Sequence, residues 1–315
     1  MIRIGIDVGG TGIQIGAVNE NSEIIARGAI PTRTDISFEA QVHRIAQCVM
    51  DLLRPDNVPR IRLEDVVSIG VGIPGIADEN GNVIKCTNMG WQHVPFRSEF
   101  VKYLDKPVYI DNDANVAALA ESVAGVSAGT SSSVFITLGT GIGSGIILNG
   151  RIWKGAHGIG GELGHTIMEI DGIPCTCGNR GCLERYCSAT AIIRMAREQA
   201  AIHPETAILA MAQGDPAKIN ARTVIDASRE GDPIAEKLFR RYVSYLSQAI
   251  ANVINFIDPE VIVLGGGISK AGDYLLHAVR EEYPRYVIFS DLTLPSVELA
   301  VLGADAGIIG AAMLS

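Results

Sequence analysis

Two glycine-rich turns, each set between short apolar segments, stand about 130 residues apart in this chain. The first is Gly9-Gly10-Thr11-Gly12, between Ile2–Asp7 and Ile13–Val18. The second is Gly139-Thr140-Gly141-Ile142-Gly143, between Ser133–Leu138 and Gly145–Leu148. Apolar segment, glycine turn, apolar segment is the pattern of a hairpin. Its recurrence points to a duplicated α/β architecture with one such turn in each half. The remainder alternates helix and strand signals. Phe38, Val42, Ile45, Val49 and Leu52 share a helical spacing that stops before Pro55. Val66–Ile73 reads as a buried strand ended by Pro74-Gly75, and Phe96–Leu104 as a short helix. Val108–Ile110 is a strand, followed by a helix from Ala114 to Val123. A long helix runs from Ile234 to Ile257, strand Val261–Leu264 ends in Gly265-Gly266-Gly267, and a last helix covers Gly303–Leu314. We expect a smaller first α/β domain over 1–122, completed by the C-terminal helix 303–315. A larger second domain covers 123–302.

Composition narrows the function classes. The chain has 315 residues, 47% hydrophobic and 19% charged, which suits a packed globule rather than a disordered segment. Its net charge of −9 argues against a duplex nucleic-acid partner, which demands a basic surface. A small anionic ligand stays open, because backbone N–H groups hold phosphate locally. No apolar run approaches the roughly 20 residues of a membrane span, and no basic head precedes an apolar stretch at Met1. The expected location is the cytoplasm, with no membrane partner.

Five clusters carry chemistry. In Asp7-Val8-Gly9-Gly10-Thr11, glycine lets backbone approach a phosphate, and Asp7 can face Mg²⁺. The alternative is an ordinary hairpin. Leu138-Gly139-Thr140-Gly141-Ile142-Gly143-Ser144-Gly145 has glycine spacings like a dinucleotide fingerprint, but that fingerprint must open a helix. Here the apolar Ile146-Ile147-Leu148 follows, so a nucleotide clasped by two turns is the better reading. Gly265, Gly266 and Gly267 offer bare backbone for an adenine ring, or form a tight turn. Asp111-Asn112-Asp113-Ala114-Asn115 sits where strand gives way to helix, the place where open α/β folds put ligands. Its carboxylates and amides suit a polyhydroxylated substrate, and one Asp can accept a proton. Helix N-capping is the competing role.

Cys175-Thr176-Cys177-Gly178-Asn179-Arg180-Gly181-Cys182 packs three thiols into eight residues. In a chain without a secretion signal this reads as a zinc knuckle rather than a disulfide framework. A closed structural site takes four ligands. His165, in Gly161-Glu162-Leu163-Gly164-His165, is the nearest candidate for the fourth, and Cys187 competes for it.

Taken in order, these pieces resemble the ROK family (repressors, open reading frames and kinases), and most closely its bacterial glucokinases. They cover nearly the whole chain. The resemblance implies an actin-like, ribonuclease H-like fold of two duplicated α/β domains around a cleft. It also implies ATP with Mg²⁺, a structural Zn²⁺, and phosphate transfer to a sugar hydroxyl, with glucose to glucose 6-phosphate as the expected reaction. Asp113 would be the catalytic base on the C6 hydroxyl. Asn112, Glu162, His165 and Glu184 would hold the other hydroxyls, joined by Gly75 and Asn88. His165 would also bind zinc with Cys175, Cys177 and Cys182. Gly9, Gly10 and Thr11, with Gly139, Thr140 and Gly141, would line the phosphates. Gly265, Gly266 and Gly267 would flank the nucleotide, and Asp7 would face Mg²⁺. Relatives imply a homodimer or homotetramer. The alternatives are a kinase for N-acetylmannosamine, N-acetylglucosamine, fructose or allose, a polyphosphate-using kinase, a silent sugar sensor, or a repressor. Repressors of the family carry a helix-turn-helix domain ahead of the first strand, which here starts at residue 2.

Overall fold

The computed structural model describes residues 1–54 and 61–315, and alternates strands and helices along its length. The strands of the first part are β1 (Ile2–Val8), β2 (Gly12–Val18), β3 (Ile24–Pro31), β4 (Val66–Ile73), β5 (Ile76–Ala77), β6 (Val83–Cys86), β7 (Trp91–Val94) and β8 (Val108–Asn112). Among them lie helices α1 (Phe38–Leu52), α2 (Phe96–Phe100) and α3 (Asp113–Ala124). Then come β9 (Ser132–Leu138), β10 (Ile142–Leu148), β11 (Arg151–Ile152) and helices α4 (Glu184–Cys187), α5 (Ala189–Ile202), α6 (Ala207–Met211), α7 (Ala221–Arg229) and α8 (Pro233–Ile257). The chain closes with β12 (Val261–Gly265), α9 (Asp273–Glu282), β13 (Ser296–Leu299) and α10 (Ala306–Ala312). Pro55, expected to end α1, lies outside the described residues; α1 ends at Leu52.

Two compact units result. One comprises Met1–Gly129, Gly145–Gly160 and Val301–Ser315; the other comprises Thr130–Ser144 and Gly161–Ala300.

In the first unit the sheet order is β3-β2-β1-β4-β8. β1 pairs antiparallel with β2 and parallel with β4, and β4 pairs parallel with β8. β4 is an interior strand, paired on both sides, and its Val66, Ile69, Val71 and Ile73 are buried. α1 starts at Ser37, whose side chain accepts from the Ala40 N–H, and buries Val42, Ile45, Val49 and Leu52. α10 lies on β1 and β4, and this approach depends on glycine: a Cβ on Gly5 or Gly70 would enter the backbone of Ile308 or Ala311. The buried Glu121 of α3 accepts from the Val301 and Leu302 N–H groups, each at 3.0 Å, and so fastens the last segment to this unit. A small antiparallel sheet, β5-β6-β7, adds a 3-10 turn at Thr87–Met89 that carries Asn88.

The second unit repeats the plan. The second five-stranded sheet has the order β11-β10-β9-β12-β13. β12 pairs parallel with β9 and with β13. β9 stands where β1 stands, β12 where β4 stands, and each first strand ends in a glycine turn. The duplication expected from the two turns is therefore present in the topology.

Several boundaries differ from expectation, three of them by three residues or more. β10 starts at Ile142, not Gly145, because the turn is closed by Gly139 N–H on the Gly141 carbonyl and needs no more residues. α2 stops at Phe100, and the chain turns through residues 101–104. The last helix is shorter, since Gly303–Asp305 forms a 3-10 turn with Gly303 at φ +56°. Among the described residues no helix is long and apolar enough to cross a membrane.

Candidate functional site

In the first unit the carboxyl ends of β1, β4 and β8 come level. Asp7 pairs in register with Gly72, and Gly72 with Asp111. The chain then leaves each strand through a residue singled out above. β1 leads to Gly9-Gly10-Thr11, where the Gly9 N–H donates to the Gly12 carbonyl at 3.0 Å. The Thr32 hydroxyl donates to the Gly9 carbonyl at 2.7 Å and steadies the turn. β4 leads to Gly75, whose missing Cβ lets it lie against the Lys85 carbonyl. Asn88 reaches this end too, because a Cβ on Gly10 would stand 3.8 Å from its Nδ2.

β8 leads to Asn112 and Asp113. Asn112 caps α3, its Oδ1 accepting from the Ala114 N–H at 2.9 Å and the Asn115 N–H at 3.4 Å. Its Nδ2 donates to the Gly75 carbonyl at 3.2 Å, so it joins two strand ends. The capping role and a ligand role therefore compete for one side chain. Asp113 is the first residue of α3, and its Oδ1 accepts from the Ala114 N–H at 2.9 Å. A helix N-terminus favours a carboxylate there. Asp111 and Asn115 turn inward instead. Asn115 Nδ2 donates to Asp111 Oδ1 at 2.9 Å, and both residues are about 5% exposed or less. Lys154 Nζ stands 2.7 Å from Asp111 Oδ2. Lys154 escaped the sequence reading, since nothing in its neighbourhood marks it.

Burial first, and then the nearby charge of Asp113, pushes the Asp7 carboxyl up to about 6. A carboxyl disfavoured as an anion by burial and by a neighbouring carboxylate is relieved by a cation. Oxygen donors of this kind fit the hard Mg²⁺ ion.

In the second unit the ends of β9 and β12 lie side by side, with Thr137 level with Gly265. Gly266 has φ +87°, and a Cβ there would stand 2.7 Å from the Leu138 backbone; Gly265 lies against the Phe135 ring. Packing explains these two glycines without a ligand. Gly267 has nothing within 4 Å of where its Cβ would be. The turn Gly139–Gly141 is held from outside. The Ala189 N–H donates to the Gly139 carbonyl at 2.8 Å, the Thr190 hydroxyl to the Thr140 carbonyl at 2.7 Å, and the Ile142 N–H to Glu184 Oε2 at 3.0 Å.

Beside this turn, His165, Cys175, Cys177 and Cys182 bring their ligand atoms within 4.8 Å of one another. Cys177 Sγ lies 3.6 Å from Cys182 Sγ, and Cys175 Sγ lies 3.7 Å from His165 Nδ1. Four donors at ~2.0–2.3 Å around a tetrahedral zinc would be separated by ~3.5–3.8 Å, so the set fits. Gly178 and Gly181, at φ +97° and +76°, make the tight knuckle possible. Cys187 is not a ligand: it is fully buried, and its Sγ points to the Tyr242 carbonyl at 3.6 Å. Glu162 is exposed at the start of the His165 turn.

The ROK family model matches residues 3–315. A glucokinase of Thermotoga maritima is 37% identical over 313 residues, covering 99% of this chain and 96% of its own. A glucokinase of Halalkalibacterium halodurans is 36% identical over 313 residues, covering 99% and 94%. Among solved structures, a ROK family glucokinase from Streptomyces griseus, in complex with glucose and AMPPNP, superposes with a TM-score of 0.82. It is 32% identical and is matched over 99% of this chain and 98% of that one.

Proposed function

Because this chain belongs to the ROK family, we propose that it uses ATP to phosphorylate a hexose, with glucose the preferred acceptor. It is a sugar kinase of actin-like fold. In this reading Asp113 takes the proton of the C6 hydroxyl as that oxygen attacks the terminal phosphorus of ATP, and ADP leaves. Asn112, with the Gly75 carbonyl it holds, Asn88, Glu162, His165 and the second oxygen of Glu184 are the groups that hold the other sugar hydroxyls. His165 takes zinc through Nδ1 and keeps Nε2 for a hydroxyl. Gly9, Gly10 and Thr11, with Gly139, Thr140 and Gly141, give their backbone to the phosphates, and Gly267, in the Gly265–Gly267 turn, leaves room for the base. Asp7 would hold magnesium, which when bound offsets phosphate charge. Phosphoryl transfer asks mainly for positioning and charge neutralisation, and these groups supply both.

The observation that carries the reading is Asp113 at the head of α3, electrostatically coupled to Asp7 at the end of β1 beside the glycine turn. The zinc is structural, and a homodimer or homotetramer in the cytoplasm is the expected state. The test is ADP release from ATP across glucose, N-acetylmannosamine, N-acetylglucosamine, fructose and allose, with sugar phosphate formation read when polyphosphate is the donor. Glucose with ATP should give the highest kcat/KM. Absence of sugar-dependent ADP release would overturn the proposal.

A further inference from the structure

The glycine turn of the second unit and its metal knuckle are built on the same two arms of chain. One arm is 161–165, ending in His165. The Ser144 hydroxyl donates to the Gly161 carbonyl, the Leu163 N–H donates to Ser144 Oγ at 3.3 Å, and Gly164 lies so close to the Ile142 carbonyl that a Cβ could not fit. The other arm is 182–190, beginning at Cys182. It supplies all three outside contacts of the turn: Glu184 to the Ile142 N–H, the Ala189 N–H to Gly139, and Thr190 to Thr140. The Glu184 carboxylate also lies against Gly141, where a Cβ would displace it. His165 and Cys182 are two of the four residues whose ligand atoms cluster, so a bound metal ties the two arms together.

From these contacts we propose that Glu184 is a positioning residue for the turn Gly139–Ile142, and that the metal knuckle thereby sets nucleotide affinity as well as sugar orientation. The proposal rests on the reading that this turn holds the phosphates. A carboxylate that fixes a backbone N–H holds it in one orientation, and hydrogen bonds to a charged group are among the stronger ones. Losing it frees the turn that should be pre-organised for phosphate.

The experiment measures ADP and glucose affinities separately by calorimetry, together with amide exchange over residues 139–148. It uses the intact chain, its Glu184→Ala, Glu184→Gln and Thr190→Val variants, and chain stripped of zinc by chelator. Glu184→Ala and zinc removal should weaken ADP about tenfold and speed exchange at Ile142. Glu184→Gln, whose amide oxygen still accepts, should stay within about threefold of wild type, and Thr190→Val should weaken ADP by about threefold. Unchanged ADP affinity and unchanged exchange in Glu184→Ala, with or without weaker glucose binding, would overturn the proposal. Should Glu184→Ala fail to fold, unchanged values in Thr190→Val would do the same. A wild-type chain with no ADP affinity would instead sink the kinase reading.

Discussion

Lys154 Nζ stands 2.7 Å from Asp111 Oδ2, so the carboxylate buried two residues before Asp113 takes its counter-ion from a segment forty residues along the chain. Asp111 is 5% exposed, while the Lys154 side chain is 41% exposed. The pair therefore lies between the buried and surface limits. Removing the cation leaves a buried charge, which costs more than the pair itself contributes. Lys154→Met should destabilise the fold by about 1–3 kcal/mol in urea unfolding. Adding Asp111→Asn should recover much of that loss. Equal stability of Lys154→Met and wild type would show that Asp111 is satisfied without it.

Asp7 makes stability depend on pH. Its folded carboxyl is pushed up to about 6, above the ordinary value of 3.8, by burial and then by Asp113. The folded state thus binds this proton more tightly than the unfolded chain does. Its penalty is absent below about pH 4, grows as pH rises, and is complete above about pH 6. Without magnesium, Asp7→Asn should gain about 1–2 kcal/mol at pH 8, a figure reduced for the partial exposure of Asp7, and nothing at pH 4. Magnesium should stabilise wild type and not the variant. A gain of the same size at both pH values would contradict the coupling.

The knuckle should carry about one zinc per chain, read by atomic emission on protein purified without chelator. Cys175→Ser and Cys182→Ser should each lose it. Cys187→Ser should keep it, because that thiol faces the Tyr242 carbonyl. Zinc-free wild-type protein, or loss of zinc in Cys187→Ser, would contradict the ligand set.

Much of this was legible in the sequence because glycine and cysteine act locally. The two turns announce the duplication, since each depends on its own few residues, and the three thiols within eight residues form their own knuckle. What escaped is set by distant packing. β6 and β7 have four residues each, too short to show alternation, yet they frame the turn that carries Asn88. Lys154 has meaning only once Asp111 is seen beside it. Cys187 looked like a ligand by spacing, and the direction of its side chain removed it. At Gly265 and Gly266 the sequence allows room for a ligand or a tight turn, and the Phe135 ring and the Leu138 backbone show why the turn itself needs glycine.

The central claim is that Asp113 draws the proton from the sugar, and Asp113→Asn tests it most directly. The substitution keeps the shape and an oxygen that can still accept from the Ala114 N–H, and Asn112 still caps α3. Steady-state turnover with ATP and glucose should fall about 100-fold or more, with the glucose dissociation constant within about threefold and stability no lower than that of wild type. Turnover near the wild-type value would contradict the account.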